Sequence, residues 1–448
     1  MGTFVPFSRD QSFLLPPDLK DWLPEDDLAH FVVAAVERVP LAAFQAKSAA
    51  GGKAQYHPRL MLALLVHCYA NGVFSSRRIE RATRRDVGVR CVAANLHPDH
   101  DTIAAFRRAN RAAFEAAFLR VLLLAREAGL LRVGAVAIDG TKLDANASKI
   151  RSVRHDRAGE LRAKLAADIA ALTARAEAAD MEDAPDPQAP PKEIARRETL
   201  KAKLDAACAR LEAEARAAAE AARPAFAAKK AAYDAKRGRR GRPPKPPGDD
   251  PPPGRQGNPA DPDGALMRRS GAHEYRQACN AQAVVCAEGS QLILATGVAA
   301  ATADAPGSAA TVLAMEDTVG LPRTVLADTG FASAPAVAAL QARGVEPLVA
   351  TGRTQQHRPY DFRPPPKPKE ERRTTEPWRI AMKARLEADD AKTPYARRKQ
   401  TVEPAFGIVK SAMGFVRFRL RGIRNAAAEW TLVALAYNCR RLHRMQAA

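Results

Sequence analysis

Long apolar runs are missing from this 448-residue chain; the longest, Leu60 to Val66, is far short of the ~20 residues a membrane helix needs. The first residues lack the basic-then-apolar pattern of a signal peptide, and Pro6 stands where a myristoylation motif requires Ser or Thr. The expectation is a soluble intracellular protein with no membrane partner. Cysteine is also scarce: the six (Cys68, Cys91, Cys208, Cys279, Cys286 and Cys439) form no Cys-x-x-Cys pair, which argues against a zinc ribbon and a disulfide framework. Acidic residues are too few to balance the basic ones, 50 against 70, leaving a formal charge of +20. Such a surplus points to a polyanionic partner, DNA or RNA. A hydrophobic fraction of 46% excludes wholesale disorder, and the length allows roughly three structural units.

What is present changes texture along the chain. Residues 1–130 read as helical. Leu60, Leu64 and Val66 lie on an apolar helix running into Asn71-Gly72, and Ser75 is placed to cap a basic second helix carrying Arg77, Arg78, Arg81, Arg84 and Arg85. A long third helix is expected from Asp101-Thr102, with Ile103, Phe106, Phe114, Phe118 and Val121 at helical spacing and Asn110 as a polar gap. Two short helices around a tight turn, the second basic, resemble a helix-turn-helix, although a solvated face explains the same arginines. Residues 151–264 look like an insertion. Leu161, Leu165, Ile169 and Leu172 mark one amphipathic helix, Pro185 to Pro191 breaks it, and a second helix follows from Glu193 to Lys236, giving a helical hairpin. A Pro/Gly-rich basic tail, Gly238 to Gly264, closes the insertion. Residues 131–150 and 265–448 alternate strands and helices, so one sheet is expected to be interrupted by the hairpin.

Two short apolar strands run into aspartates: Val136-Ala137-Ile138 into Asp139, and Val325-Leu326-Ala327 into Asp328. Strand ends are where ligands approach an open sheet, although both aspartates also suit turns. A third carboxylate, Glu403, follows the helix start Thr393-Pro394. Steps of four from Tyr395 through Lys399 to Glu403, then seven to Lys410, place all four on one face of a straight helix, with Pro404 as a potential kink. Three carboxylates without a cysteine or histidine cluster suit Mg²⁺ or Mn²⁺, which take oxygen ligands. Two such ions, roughly 3.5–4 Å apart, serve phosphodiester chemistry. His97-Pro98-Asp99-His100 has the wrong spacing for a zinc site and sits beside a helix cap, which makes it structural.

With these residues in view, the chain resembles a bacterial insertion-sequence transposase with an Asp-Asp-Glu triad. The match is carried by Ile138–Lys142, Asn280–Val284, Leu326–Phe331 and, most specifically, Arg397–Lys410; Tyr56 to Phe118 resembles the helical domain that precedes such cores. The resemblance implies an α/β RNase H-like catalytic core with an N-terminal all-α domain and a helical-hairpin insertion. It further implies Asp139, Asp328 and Glu403 as catalytic, metal-binding residues holding two Mg²⁺ or Mn²⁺ ions. Tyr395, Arg398 and Lys410 match a signature that contacts transposon-end phosphates, but Arg398 lies five positions before Glu403, where relatives place the arginine four before; Lys399 occupies that place. The partners implied are the element's terminal inverted repeats and target DNA, engaged by a homodimer in the bacterial cytoplasm.

Further DNA contacts are expected outside the triad. Arg240-Gly241-Arg242-Pro243 resembles an AT-hook, a slim Arg-Pro segment suited to a narrow minor groove; a basic linker is the plainer explanation. Arg417, Arg419 and Arg421 alternate with Val416, Phe418 and Leu420, presenting, if extended, an arginine edge for phosphates and an apolar edge for packing. Trp378 suits either a buried packing role or stacking on an unpaired base. The expected function is cleavage at the element's ends and strand transfer. The alternatives are a non-catalytic DNA-binding regulator and an RNase H-like nuclease.

Overall fold

The computed structural model describes residues 18–45, 55–181, 191–235, 242–252, 254–268, 274–301, 303–305, 307–352 and 376–446. Among the described residues, six α-helices come first: α1 (Leu28–Glu37), α2 (Pro58–Ala70), α3 (Ser76–Arg85), α4 (Val87–Val92), α5 (His100–Ala109) and α6 (Arg111–Glu127). Every residue of α2 from Met61 to Ala70 is buried, so this apolar helix is the hub that the others surround. On α3 only Ile79 and Thr83 are buried, and its five arginines face outward. The long third helix expected from Asp101 is instead two, because Asn110 ends α5. Its side-chain Nδ2 donates to the Phe106 carbonyl at 3.0 Å and its Oδ1 accepts from the Gln45 N–H at 2.9 Å, local bonds that compete with the helical ladder. Asp99 caps α5, and His97 and His100 bond to Thr83 and Glu80, so the His-Pro-Asp-His segment fastens α5 to α3.

The sheet begins at β1 (Ala135–Asp144). After a short β2 (Val153–Arg154) come α7 (His155–Met181) and α8 (Pro191–Asp234), the hairpin read from the sequence, and then β3 (Gln256–Gly257), which pairs with β2 and closes its base. Ala158, Leu204 and Cys208 form the hairpin's own small core, and Arg162–Asp205 and Arg197–Asp168 ion pairs cross it. The chain continues through β4 (Ala265–Arg268), β5 (Tyr275–Cys286), β6 (Ile293–Ala299), α9 (Ser308–Leu313), β7 (Thr324–Ala327), α10 (Ala334–Gln341) and β8 (Glu346–Val349). Strand order is β4-β5-β1-β7-β8, with β6 also on β5; β5 is antiparallel to β1, whereas β7 and β8 run parallel to it. The sheet is therefore mixed, and β1, which precedes the hairpin, lies in its middle. Asp139 does not terminate this strand. It pairs with Ala283 in mid-β1, which extends to Asp144 because Thr141 and Leu143 continue a buried alternation.

Three helices complete the chain: α11 (Pro377–Glu387), α12 (Asp389–Gly407) and α13 (Ile423–Gln446). Nearly the whole middle of α13 is buried, from Ala428 to Cys439, as befits a helix that packs on α2, α6 and β6 at once. The N-terminal helices and the sheet consequently share one hydrophobic core. Trp430 sits within it, stacked on Phe406 and donating its indole N–H to the Gln282 carbonyl at 2.7 Å.

Candidate active site

The parallel register of β1 and β7 places Val136 beside Val325 and Ala137 beside Leu326; continued by two residues, it sets Asp139 and Asp328 at neighbouring positions. β7 stops at Ala327, and Asp328 then caps a single turn, its Oδ1 accepting the Gly330 N–H at 2.8 Å. Asp139 Oδ1 accepts the Gly140 N–H at 2.7 Å. Burial pushes the Asp139 carboxyl up to about 6, with the like charges of Asp328 and Asp304 adding to the effect and the Gly140 N–H and Arg398 opposing it.

Helix α12 covers this rim, packing on β1, β5 and β7. Its buried stripe runs Ala391, Val402 and Ala405, with Tyr395 and Arg398 half-buried on the same side. The Tyr395 hydroxyl donates to the Ala327 carbonyl at 3.3 Å, just before Asp328. Burial raises the Tyr395 hydroxyl above its ordinary range, against the opposing charge of Arg398. Arg398 thus stands as a counter-charge to Asp139 and Tyr395, while Lys399 is exposed.

Glu403 departs from the expected single face. Each step of four leaves about 40° of drift on a 3.6-residue helix, so two steps carry Glu403 roughly 80° from Tyr395, and its side chain is exposed. Among the described residues, no three acidic, histidine or cysteine side chains converge on a metal position. Pro404 does not break the helix, which continues to Gly407 and widens into a π-helical turn over Ile408–Ala412 that includes Lys410. Proline has no N–H to give the carbonyl four residues earlier. The Gln291 side chain, from the β5–β6 turn, supplies the missing donor to the Gln400 carbonyl at 2.9 Å.

The three alternating arginines lie beyond the far end of β1. Phe418 and Leu420 are buried as expected, but Val416 is exposed, because only a single bridge, Asp144 to Arg417, continues the strand. Arg417 and Arg276 both bond to Asp144, and Arg421 Nε donates to the Asn146 carbonyl at 3.0 Å. Together with Lys149 and Arg151 they line a polar cleft of about 520 Å³. Arg419 is exposed and is not among the residues lining this cleft; its backbone N–H donates to Glu429 at 2.7 Å. Of the hook-like segment, Arg240 lies outside the described residues and Arg242 is exposed on an irregular stretch. Trp378 is half-buried, with the Arg379 guanidinium over its ring at 5.0 Å.

Asp304 was not singled out by the sequence, since it ends no strand and matches no motif segment. Asn280 Nδ2 donates to its Oδ1, and Gln282 Nε2 to its carbonyl, both at 2.7 Å. These two amides lie in β5, within the Asn280–Val284 segment, which was the signal available.

No helix among the described residues is long and apolar enough to cross a membrane. No curated protein and no solved structure matches the chain. Two family models do: the Transposase domain (DUF772) over residues 17–109 and the Transposase DDE domain over residues 254–439. The second implies an RNase H-like core, and it spans Asp304, Asp328 and Glu403 but begins after Asp139. With a transposase helical domain followed by a transposase DDE domain in one polypeptide, the chain belongs to the insertion-sequence DDE transposases.

Proposed function

We propose that this transposase cleaves DNA at the ends of its element and joins the freed 3′ hydroxyl to target DNA, using Asp139, Asp328 and Glu403. The observation that carries this reading is the neighbouring placement of half-buried Asp139 and Asp328 where β1 and β7 run side by side, beneath a helix that bears the third carboxylate. The mixed sheet with its central β1 supports an RNase H-like core.

The donors suit a hard divalent cation. They are carboxylate oxygens, and the like charges that raise Asp139 are those a cation relieves. Mg²⁺ is ordinarily held by one or two carboxylates with waters, so the Asp139–Asp328 pair is sufficient to begin a site. When bound, a pair of such ions would stabilise the charge on the attacking and leaving oxygens. The protein's own contribution is positional. Tyr395 and Arg398 hold α12 over the rim, with Arg398 balancing Asp139 until DNA arrives. Glu403 stands at the open side, facing solvent where a DNA end enters; catalytic contacts that are loose in a free enzyme commonly tighten only in its complex. Lys399, Lys410, the outward arginines of α3 and the cleft of Lys149, Arg151, Arg417 and Arg421 supply phosphate contacts, with Arg419, Arg240 and Arg242 adding charge along the path. The partners are terminal inverted repeats and target DNA, handled by a homodimer in the bacterial cytoplasm.

Asp139→Ala tests this assignment. Strand cleavage is expected to disappear while a gel-shift assay on the terminal repeats shows binding within about twofold of wild type. Full cleavage by that variant would overturn the triad.

A further inference from the structure

We propose that Asp304 is a further carboxylate of the cation site, with the Asn280 side-chain carbonyl as its neighbouring oxygen donor. This rests on the cation reading above. Asp304 lies in the loop before α9 and reaches back over the sheet to two glycines. Its Oδ2 is 2.7 Å from where a Cβ on Gly330 would sit, and Asp328 Oδ1 is 3.0 Å from that same point. The two carboxylates therefore converge on Gly330. On Gly140, next to Asp139, a Cβ would lie 2.7 Å from Asp304 Oδ1 and 2.7 Å from Asn280 Oδ1. Glycine at these two positions leaves the space that the carboxylates occupy.

The second observation is independent of the acidic cluster. Asn280 is fully buried, and its Nδ2 must face Asp304 because a carboxylate accepts hydrogen bonds and cannot donate them. That orientation turns Oδ1 to the space above Gly140, where it has no hydrogen-bond partner. An orphaned buried carbonyl is costly, and an ion or a water is among the reasons one persists. With Asp304 and Asp328 alongside, the chemistry that satisfies it is a hydrated divalent cation, whose oxygen-rich shell suits carboxylate and amide donors. Gln282, bonded to the Asp304 backbone, fixes the loop at the height this requires.

The test is Mn²⁺ binding to the full-length protein, read from the electron paramagnetic resonance signal of free Mn²⁺, with circular dichroism to verify folding. Asp304→Asn keeps the shape and the bond from Asn280, and is expected to weaken Mn²⁺ affinity by about tenfold or more. Gly330→Ala keeps every carboxylate but places a methyl group where Asp304 and Asp328 converge; it is expected to weaken binding similarly. Asp139→Asn serves as the reference for the cation reading itself. If Asp304→Asn stays within about twofold of wild type while Asp139→Asn loses affinity, the role of Asp304 is overturned and the cation reading stands. If wild type binds no Mn²⁺, both are overturned.

Discussion

Replacing Glu429 with alanine should destabilise the junction between the N-terminal helices and the catalytic half more than any surface change. Glu429 is fully buried on α13. Its Oε1 accepts the Tyr69 hydroxyl from α2 at 2.8 Å and lies 3.8 Å from Arg107 of α5; its Oε2 accepts the Arg419 and Leu420 N–H groups at 2.7 and 3.0 Å. Arg107 in turn donates to the Tyr69 hydroxyl at 2.8 Å and the Phe74 carbonyl at 2.9 Å. Burial works against its charge, but Tyr69 and Glu429 outweigh that and hold it above its ordinary range. Removing the carboxylate strands a buried guanidinium and two backbone donors, at a cost of about 3–5 kcal/mol. Removing both charges with well-packed residues, as in Glu429→Leu with Arg107→Met, should cost far less than the two single changes combined. Urea unfolding followed through tryptophan fluorescence, Trp430 being next in sequence and fully buried, measures wild type, Glu429→Ala, the two single variants Glu429→Leu and Arg107→Met, and their double. Strictly additive effects, or a loss under about 1 kcal/mol in Glu429→Ala, would refute the reasoning.

Two other outcomes follow from α12. Gln291→Ala leaves the Gln400 carbonyl without its donor beside Pro404, costing about 1–2 kcal/mol and speeding amide hydrogen exchange in α12 while α13 is unchanged; equal exchange in both proteins would contradict this. Arg398→Ala should leave Asp139 without its counter-charge and reduce cleavage severely, whereas Lys399→Ala should mainly weaken DNA binding and reduce its salt dependence by about one phosphate contact. The reverse pattern in cleavage and gel-shift assays would assign the signature's arginine role to Lys399.

Much of the frame was legible in sequence because local chemistry controls it. The apolar run of α2, the paired helices α7 and α8, and the short strand Thr324–Ala327 each stand where their residues placed them, while the Pro-rich stretch expected to break the hairpin lies outside the described residues. What escaped depends on partners distant in sequence. Asn110 interrupts a helical repeat because its side chain finds Phe106 and Gln45. Asp139-Gly140 looks like a turn, yet pairing with Ala283 and Gln282 of β5 keeps it extended. Spacing by fours suggested one face for Tyr395, Lys399 and Glu403, but packing on the sheet selected the stripe through Arg398 instead. Asp304 was invisible because its place is set by Asn280 and Gln282, more than twenty residues earlier.

The most direct test of the central claim is cleavage of linear DNA carrying the element's own terminal repeats, comparing Mg²⁺ with EDTA and wild type with Glu403→Gln. The account predicts cuts at the repeat ends that require Mg²⁺ and vanish in Glu403→Gln, although that residue stands exposed on α12 in the free protein. Cuts that persist in EDTA, or in Glu403→Gln at wild-type rate, would contradict it.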